Sequence, residues 1–240
     1  MFNNRTYRKK HQKSGLVSFD VTVKETNLNI QAKTKLDDHA VKAILACRNP
    51  IENYIDIHPE FKTSFVPLEE WHTAPKIIQA MCQAAKAANV GPMAAVAGAV
   101  AEFTGKRLLE YSSEIIVENG GDIFIRSNTE SIFSIYSDHS PFCHKLGICV
   151  EERRSPYGIC TSSGSLGHSK SFGNADAVTV LSDSCTLADA VATALGNQIQ
   201  GPSDIRTALD NGKNILGVMG IVILLEEHIG LWGDVRLVKI

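Results

Sequence analysis

The chain has 240 residues, a formal net charge of −2 and 21% charged residues. This length allows one large domain or two small ones, and we expect a single domain over residues 1–240. Because so balanced a charge creates no large positive field, we expect no nucleic-acid partner and no anionic membrane as a partner.

The first residues differ in charge from the rest of the chain. Basic side chains cluster there and predict a flexible, solvated tail over about residues 1–14, although such a cluster would also suit a phosphate-bearing partner: Arg5, Arg8, Lys9, Lys10 and Lys13.

The sequence favours a cytoplasmic location. Residues 3–14 are polar and contain no apolar signal core, and the longest apolar run, residues 215–225, is too short to span a bilayer. The six cysteines lie far apart, without the close pairing of a zinc or redox site. We therefore expect reduced thiols.

The first predicted elements are a hairpin and a helix. Residues 16–23 and 27–32 are rich in β-branched residues and partly alternate, which predicts two paired strands. Asp37 and Asp38 open a helical pattern that reaches Cys47, with acidic residues at the positive end of the helix dipole. Residues 49–52 carry a second set of start signals, so the sequence leaves open two helices or one kinked helix.

Two further helices follow. Residues 73–75 begin a helix with an apolar stripe that predicts a core face, formed by Ile77, Ile78, Met81, Cys82 and Ala85. Gly91 and Pro92 end it and start another helix over residues 93–101, in which almost all side chains are small. Small side chains let a ligand approach the helix axis, but tight helix packing alone would also explain them.

The second half of the chain is rich in predicted strands. Residues 114–117 and 123–126 predict a hairpin around Gly120 and Gly121, where the double glycine permits positive φ and Asp122 projects at the turn. Short strands are also predicted at 131–136, 147–150 and 158–161, helices around Asp189 and at 203–209, and a last hairpin of 215–225 with 231–238. Strands joined by short turns, with grouped helices, predict an α+β fold.

Several side chains carry potential chemistry. Asp189 and Thr193 are four residues apart, so a carboxylate and a hydroxyl share one helix face and could hold Mg²⁺. They could equally be ordinary hydrogen-bonding partners, with Asp189 a buried acceptor. Asn119 and Asp122 could position a ribose or a ring edge, or merely satisfy the backbone of the turn.

A second polar segment surrounds a histidine. Thr161, Ser162, Ser163 and Gly164 offer hydroxyls and backbone N–H groups suited to a phosphate or a carbonyl oxygen. His168 follows closely enough to act as a base or to hydrogen-bond a ligand. A Ser/His hydrolase is therefore one hypothesis, although the chain has no Gly-x-Ser-x-Gly elbow.

These segments together resemble the ApbE-like superfamily, which includes the FAD:protein FMN transferases. Its Asn-x-Gly-Gly-Asp turn, its Thr-Ser-Gly segment with a following His, and its Ala-Asp-Ala helix have counterparts at 118–122, 161–168 and 188–195. The small-residue stretch 96–101 is similar to the family's Ile-Ala-Lys-Gly-Tyr-Ala helix. The whole chain resembles one branch of that superfamily, through residues 16–19, 58–61, 90–99 and 118–124.

The resemblance implies an ApbE-like fold, mainly an antiparallel sheet with packed helices. It also implies FAD or FMN as cofactor or substrate, with Mg²⁺ bound by Asp189, Thr193 and the backbone carbonyl of Ala97. The metal would neutralise a pyrophosphate during cleavage. We assign Asp122 and His168 as candidate catalytic residues, and the candidate cofactor-binding residues are Asn119, Gly120, Gly121, Asp122, Thr161, Ser162, Ser163, Gly164 and His168.

The chain also departs from the family pattern. Gly98 stands where the family has a lysine, Glu118 stands where it has an asparagine unless Asn119 takes that role, and residues 169–173 replace Asp-Pro-x-Thr-Gly. We therefore carry two main hypotheses: an Mg²⁺-dependent FMN transferase or FAD pyrophosphatase, and a non-catalytic binder of flavin or another small ligand. A homo-oligomer is a further expectation, because small-residue helices often pack at subunit interfaces.

Overall fold

The structure, a computed structural model, describes residues 13–69, 72–135, 142, 145–153, 155–163 and 172–240. Within them the strands are β1 (Val17–Val23), β2 (Thr26–Ala32), β3 (Ile115–Asn119), β4 (Asp122–Arg126), β5 (Ser131–Ser134), β6 (Leu146–Val150), β7 (Tyr157–Ser162), β8 (Ala177–Ser182), β9 (Val218–Leu225), β10 (His228–Gly233) and β11 (Arg236–Lys239). The helices are α1 (Asp37–Ile57), α2 (Glu60–Thr63), α3 (Lys76–Ala88), α4 (Val96–Leu108), α5 (Cys185–Gln198) and α6 (Asp204–Gly212), and the 3₁₀ turn Pro92–Ala95 leads into α4.

Two sheets organise these elements. The large sheet has eight strands in the order β1-β2-β3-β4-β7-β8-β9-β10, and the small sheet has three in the order β11-β6-β5. Neighbouring strands are antiparallel throughout the described chain. The predicted α+β fold class, with a mainly antiparallel sheet and packed helices, is confirmed.

The large sheet has a separate apolar core on each face. On one face, Val117 and Phe124 belong to a core shared with residues of α1, α3, α4 and α5. On the other face, Ile116 packs with Phe133 and Ile148 of the small sheet. Since successive side chains of a strand point to opposite faces, the adjacent residues Ile116 and Val117 serve different cores. The layer order is therefore helices, large sheet, small sheet.

Glycines let α4 and α5 lie directly on the large sheet. A Cβ added at Gly158 of β7 would lie 2.3 Å from the Cα of Cys185, the first residue of α5. A Cβ added at Gly105 of α4 would lie 2.1 Å from a ring carbon of Phe124 on β4. These two contacts fix the helices that carry most of the candidate site.

Several predicted elements are confirmed. The first two strands pair from Val17 with Ala32 to Val23 with Thr26. The apolar stripe of α3 is buried, and this helix ends at Asn89 with the left-handed φ of 55°. The choice left open at residues 49–52 resolves to one helix, because Pro50 lies inside α1. Ile51 continues the buried stripe beyond the proline, which explains why the helix does not stop there.

Two strand predictions need correction. Residues 231–238 do not form one arm of a hairpin: β10 ends at Gly233, whose φ is +80°, and β11 joins the small sheet. The sequence pattern also missed β8, because all six of its residues are buried and no alternation marks it. The strand predicted at 131–136 ends at Ser134, and residue 136 lies outside the described residues.

The predicted basic tail at residues 1–14 is described only in part. Of the predicted basic tail, residues 1–12 lie outside the described residues, whereas the Lys13 ammonium donates to Thr129 O and Ser131 Oγ, both at 2.8 Å.

The five described cysteines are buried free thiols, and Cys143 lies outside the described part. In the ranges that the structure covers, we find no helix with the length and apolar character needed to cross a bilayer.

The contact between α5 and β7 predicts a strong effect of Gly158→Ala. The added methyl group would collide with the backbone of Cys185, so we expect a loss of about 1–3 kcal/mol in the free energy of unfolding, measured in urea. Gly201→Ala is the matched control, because nothing lies within 4 Å of its added Cβ. Equal stabilities for the two variants would contradict the close packing.

Candidate active site

A large cavity of about 1290 Å³ brings the candidate residues together. Its walls come from the start of α4, the β3–β4 turn, the end of β7 and the middle of α5. The lining includes ten of the twelve predicted site residues: Ala97, Asn119, Gly120, Gly121, Asp122, Thr161, Ser162, Ser163, Asp189 and Thr193. The other two, Gly164 and His168, lie outside the described residues.

The β3–β4 turn forms part of the cavity wall. Gly120 has a φ of 70° and Gly121 a φ of 131°, so both predicted glycines adopt a backbone that other residues rarely do. The Glu118 carboxylate holds the turn by accepting the Gly120 N–H at 2.8 Å. Nothing lies within 4 Å of a Cβ added at Gly120, so the turn leaves room for a ligand there.

The two residues before the glycines face opposite ways. Asn119 Nδ2 donates to the carbonyl oxygen of Ala97 at 3.0 Å, which places its side chain on the helix side of the sheet. Glu118 points to the other face, because neighbours in a strand alternate. Asn119 is thus on the same side of the sheet as α4 and Glu118 on the other.

Asp189 of α5 contacts the N-terminus of α4. Its Oδ2 accepts the backbone N–H of Gly98 at 2.8 Å, in the first turn of α4, where such groups lack partners within the helix. A carboxylate is favoured at this positive end of the helix dipole. The interpretation of Asp189 as an internal hydrogen-bond acceptor is thus supported. The Gly98 and Ala97 N–H groups still leave lone pairs on the carboxylate for another ligand.

The contact between α4 and α5 leaves no room for a side chain at Gly98. A Cβ there would lie 2.4 Å from the carbonyl oxygen of Cys185 and 2.7 Å from the Cβ of Asp189. Tight packing therefore accounts for Gly98, whereas the neighbouring Ala97 lines the cavity. The lysine of the family pattern cannot be accommodated at this position in the observed packing.

Two carboxyl groups lie close together in the cavity. Burial raises the pKa of Asp189 to about 7, although the backbone N–H groups of Gly98 and Ala97 act in the opposite direction. Burial, and then the charge of Asp189, raise the pKa of Asp122 well above its usual range. Among the described residues that line the cavity, Lys62 is the one basic side chain. The pair is therefore an acidic site without an adjacent protein cation in the described part of the chain.

The donors around Asp189 fit a small divalent cation. Asp189, Thr193 and the carbonyl of Ala97 all line the cavity and are hard oxygen donors, which suit Mg²⁺. Ala97 O accepts from Asn119 with one of its two lone pairs. The described residues contain no group of three or more His, Cys, Asp or Glu side chains that could hold a metal. A cation here would take its remaining ligands from water or from phosphate oxygens.

The hydroxyls predicted to form one cluster are divided between the two faces of the large sheet. Thr161 Oγ1 lies 2.9 Å from Thr179 Oγ1 of β8, so this hydroxyl is engaged within the sheet. Ser162 faces α5 instead, since its Oγ lies 3.5 Å from a Cβ added at Gly196. With His168 outside the described residues, the hypothesis of a Ser/His hydrolase stays a prediction.

Two thiols next to Asp122 are not suited to nucleophilic catalysis. Cys160 and Cys185 are buried, with their Sγ atoms 3.4 Å apart. Burial raises the pKa of Cys185 to about 11 and raises the pKa of Cys160 well above its usual value. Both groups therefore stay protonated near neutral pH, and a thiol is a weak nucleophile compared with its thiolate.

Sequence reasoning missed three residues at the cavity mouth. Lys62 and Phe65 belong to α2 and the segment after it, and Phe172 follows the segment that contains His168. The short α2 has no recognisable sequence pattern, and residues 169–173 depart from the family motif. Asn197 also lines the cavity and follows Asp189 by eight residues, which places both on one face of α5. That helical spacing could have identified Asn197 from the sequence.

The layered architecture and the cavity beside the β3–β4 turn define a protein of the ApbE fold. The structure is similar to that of the ApbE protein of Thermotoga maritima, with a TM-score of 0.63, 12% identity and coverage of 92% of this chain and 96% of that one. It is also similar to the apo flavinyl transferase ApbE of Pseudomonas stutzeri, with a TM-score of 0.57, 12% identity and coverage of 93% and 94%.

Sequence comparisons show the family. The model of the family described as AbpE bacteria matches residues 8–228. A UPF0280 protein of Methanococcus vannielii is 41% identical over 226 residues, covering 92% of each chain. Another, of Methanocaldococcus jannaschii, is 40% identical over 230 residues, covering 91% of this chain and 92% of the relative. The chain therefore belongs to the AbpE bacteria family, an ApbE-like branch, which confirms the resemblance.

The raised pKa of Asp189 predicts a pH-dependent stability. The folded protein holds this proton up to about pH 7, whereas an unfolded chain releases it near its ordinary pKa of about 3.9. The free energy of unfolding in metal-free buffer should therefore fall as pH rises from about 4 to about 7. Asp189→Asn removes this loss and should be more stable than the wild type by roughly 1–3 kcal/mol at pH 8.

Urea unfolding from pH 5 to pH 8 checks this expectation. The control is Asp56→Asn, at an exposed position of α1 outside the cavity lining. A stability difference between Asp189→Asn and wild type that does not grow with pH would contradict the account of the carboxyl pair.

Proposed function

We propose that the protein binds FAD or a related nucleotide diphosphate with Mg²⁺ and cleaves the pyrophosphate, by transfer of FMN to an acceptor hydroxyl or by hydrolysis. The observation that carries this proposal is the pair of carboxyl groups, Asp122 and Asp189, in a large cavity. Their charges repel each other, so a divalent cation would stabilise the ionised pair and attract phosphates. The flavinyl transferase with a similar fold supports flavin as the ligand.

Each described residue would have a specific role. Asp189, Thr193 and the Ala97 carbonyl would hold Mg²⁺, which when bound would neutralise charge on the pyrophosphate. The open face of Gly120 would let the ligand approach the backbone of the turn. Asp122, beside the carboxylate of Asp189, would accept the proton of the attacking hydroxyl or water.

A second candidate function is ligand binding without turnover. It is favoured by the packing at Gly98, which leaves no space for a basic side chain where the related transferases carry lysine. In this case the same cavity would retain a flavin or another nucleotide, and no product would form. The two candidates differ in products rather than in binding.

The proposal is tested by titrating the purified protein with FAD, with and without Mg²⁺, while following flavin fluorescence and then separating any FMN and AMP. We expect saturable binding that needs Mg²⁺, followed by release of AMP. Binding without cleavage, including in the presence of candidate acceptor proteins, would favour the second candidate. Failure to bind FAD, FMN or AMP under any of these conditions would contradict both.

Substitutions connect the result to the site. Asp189→Asn keeps an acceptor for the Gly98 N–H but removes the charge, so we expect a loss of about 100-fold or more in Mg²⁺-dependent activity, or in Mg²⁺-dependent FAD affinity. Thr193→Val should lose about tenfold, because one neutral oxygen donor is removed. Asp56→Asn is the matched control. Full activity of Asp189→Asn would contradict the metal assignment.

A further inference from the structure

Two phenylalanines at the mouth of the cavity are exposed. The exposed fractions of Phe65 and Phe172 are 62% and 56%, and both residues line the cavity. Their ring centroids are 5.3 Å apart with an interplanar angle of 77°. Two exposed aromatic rings at the edge of a cavity offer an apolar, stacking surface to a ligand.

The backbone next to each ring is anchored. Phe172 donates its N–H to Asn197 Oδ1 at 2.9 Å and accepts a hydrogen bond from Gln200 Nε2 at 2.8 Å. Ser64 Oγ donates to Val66 O at 2.7 Å, which closes the turn around Phe65. These hydrogen bonds restrain the backbone at both rings, which reduces the conformational entropy lost when a ligand contacts them.

The Phe65 turn also rests directly on the 3₁₀ entrance to α4. A Cβ added at Gly91 would lie 1.8 Å from the carbonyl oxygen of Ser64. Lys62, three residues before Phe65, lines the same cavity. The mouth of the cavity therefore combines an aromatic surface with a cation, whereas its interior contains the carboxyl pair.

Helix α5 relates the aromatic pair to the candidate metal donors. Asp189, Thr193 and Asn197 are spaced by four residues, so they follow one face of the helix. Asn197, which holds Phe172, lies about 12 Å along the axis from Asp189, from eight residues at 1.5 Å each. A ligand that contacts both ends must carry its phosphates and its ring several bonds apart, as a nucleotide does.

We propose that Phe65 and Phe172 form a subsite for the planar heterocycle of a nucleotide whose phosphates lie at Asp189 and Thr193. This inference rests on the proposed function and specifies which part of the ligand occupies the cavity mouth. A flavin ring and an adenine ring share the required chemistry, a flat π surface that stacks on phenylalanine. Binding to FMN and to AMP distinguishes these two sources.

The test is calorimetric titration of wild type, Phe65→Ala and Phe172→Ala with FAD, FMN, AMP and inorganic pyrophosphate, all with Mg²⁺. Loss of a stacked ring should weaken FAD binding by about tenfold or more, because stacking on an aromatic side chain contributes about 1–3 kcal/mol per base. Affinity for pyrophosphate, which has no ring, should not change. A greater loss for FMN than for AMP places the flavin at the subsite, and the reverse places adenine there.

Two controls separate stacking from structural damage. Phe65→Tyr and Phe172→Tyr keep a flat ring and should retain the affinity for FAD. Tyr111→Ala removes another exposed aromatic ring, which contacts His39 outside the cavity lining, and should bind FAD as wild type does.

The possible failures are distinct. If the alanine variants bind FAD as tightly as wild type does, the aromatic subsite is wrong and the proposed function stands. If they lose pyrophosphate and FAD affinity equally, the rings act on the fold and the subsite is again wrong. If wild type binds none of the four ligands, the proposed function fails, and the subsite fails with it.

Discussion

The arrangement of the site depends on the hydrogen bond between the Asp189 carboxylate of α5 and the Gly98 N–H at the start of α4. Its length of 2.8 Å requires the helices to meet backbone to backbone, which is feasible only with glycine at position 98. The neighbouring Ala97 carbonyl accepts a hydrogen bond from Asn119, which joins α4 to the β3–β4 turn. One helix-to-helix contact thus joins three segments that are far apart in sequence.

This arrangement places two carboxyl groups in a poorly solvated part of the molecule. Asp122 and Asp189 have raised pKa values because burial disfavours their ionised forms, and Asp189 further raises the pKa of Asp122. A core selected for stability alone would avoid such a pair, since buried like charges destabilise the folded state. A cation and its phosphate ligand would stabilise the ionised pair. The pair is therefore consistent with a ligand site that lowers the stability of the ligand-free protein.

Local patterns predicted the parts of the fold that alternate or repeat, such as the β1–β2 hairpin and the stripe of α3. They missed β8, where burial is uniform, and they left the number of helices around Pro50 open, because the packing of α1 decides it. Ten of the twelve residues that the motifs identified line the cavity, but the motifs did not predict their orientation. The division of Thr161 and Ser162 between two faces, and the exposed pair of phenylalanines, follow from strand alternation and tertiary packing, which no short motif records.

The central claim is that Asp189 of the carboxyl pair, with Thr193 and the Ala97 carbonyl, binds a cation that faces the phosphates of a nucleotide. The most direct measurement is a crystal structure of the protein with FAD and Mn²⁺ in place of Mg²⁺, with the metal located by its anomalous scattering. The account predicts a metal peak bonded to Asp189, Thr193 and the Ala97 carbonyl, with pyrophosphate oxygens completing its coordination. Ordered FAD in the cavity with Mn²⁺ absent from Asp189, or FAD bound elsewhere, would contradict it.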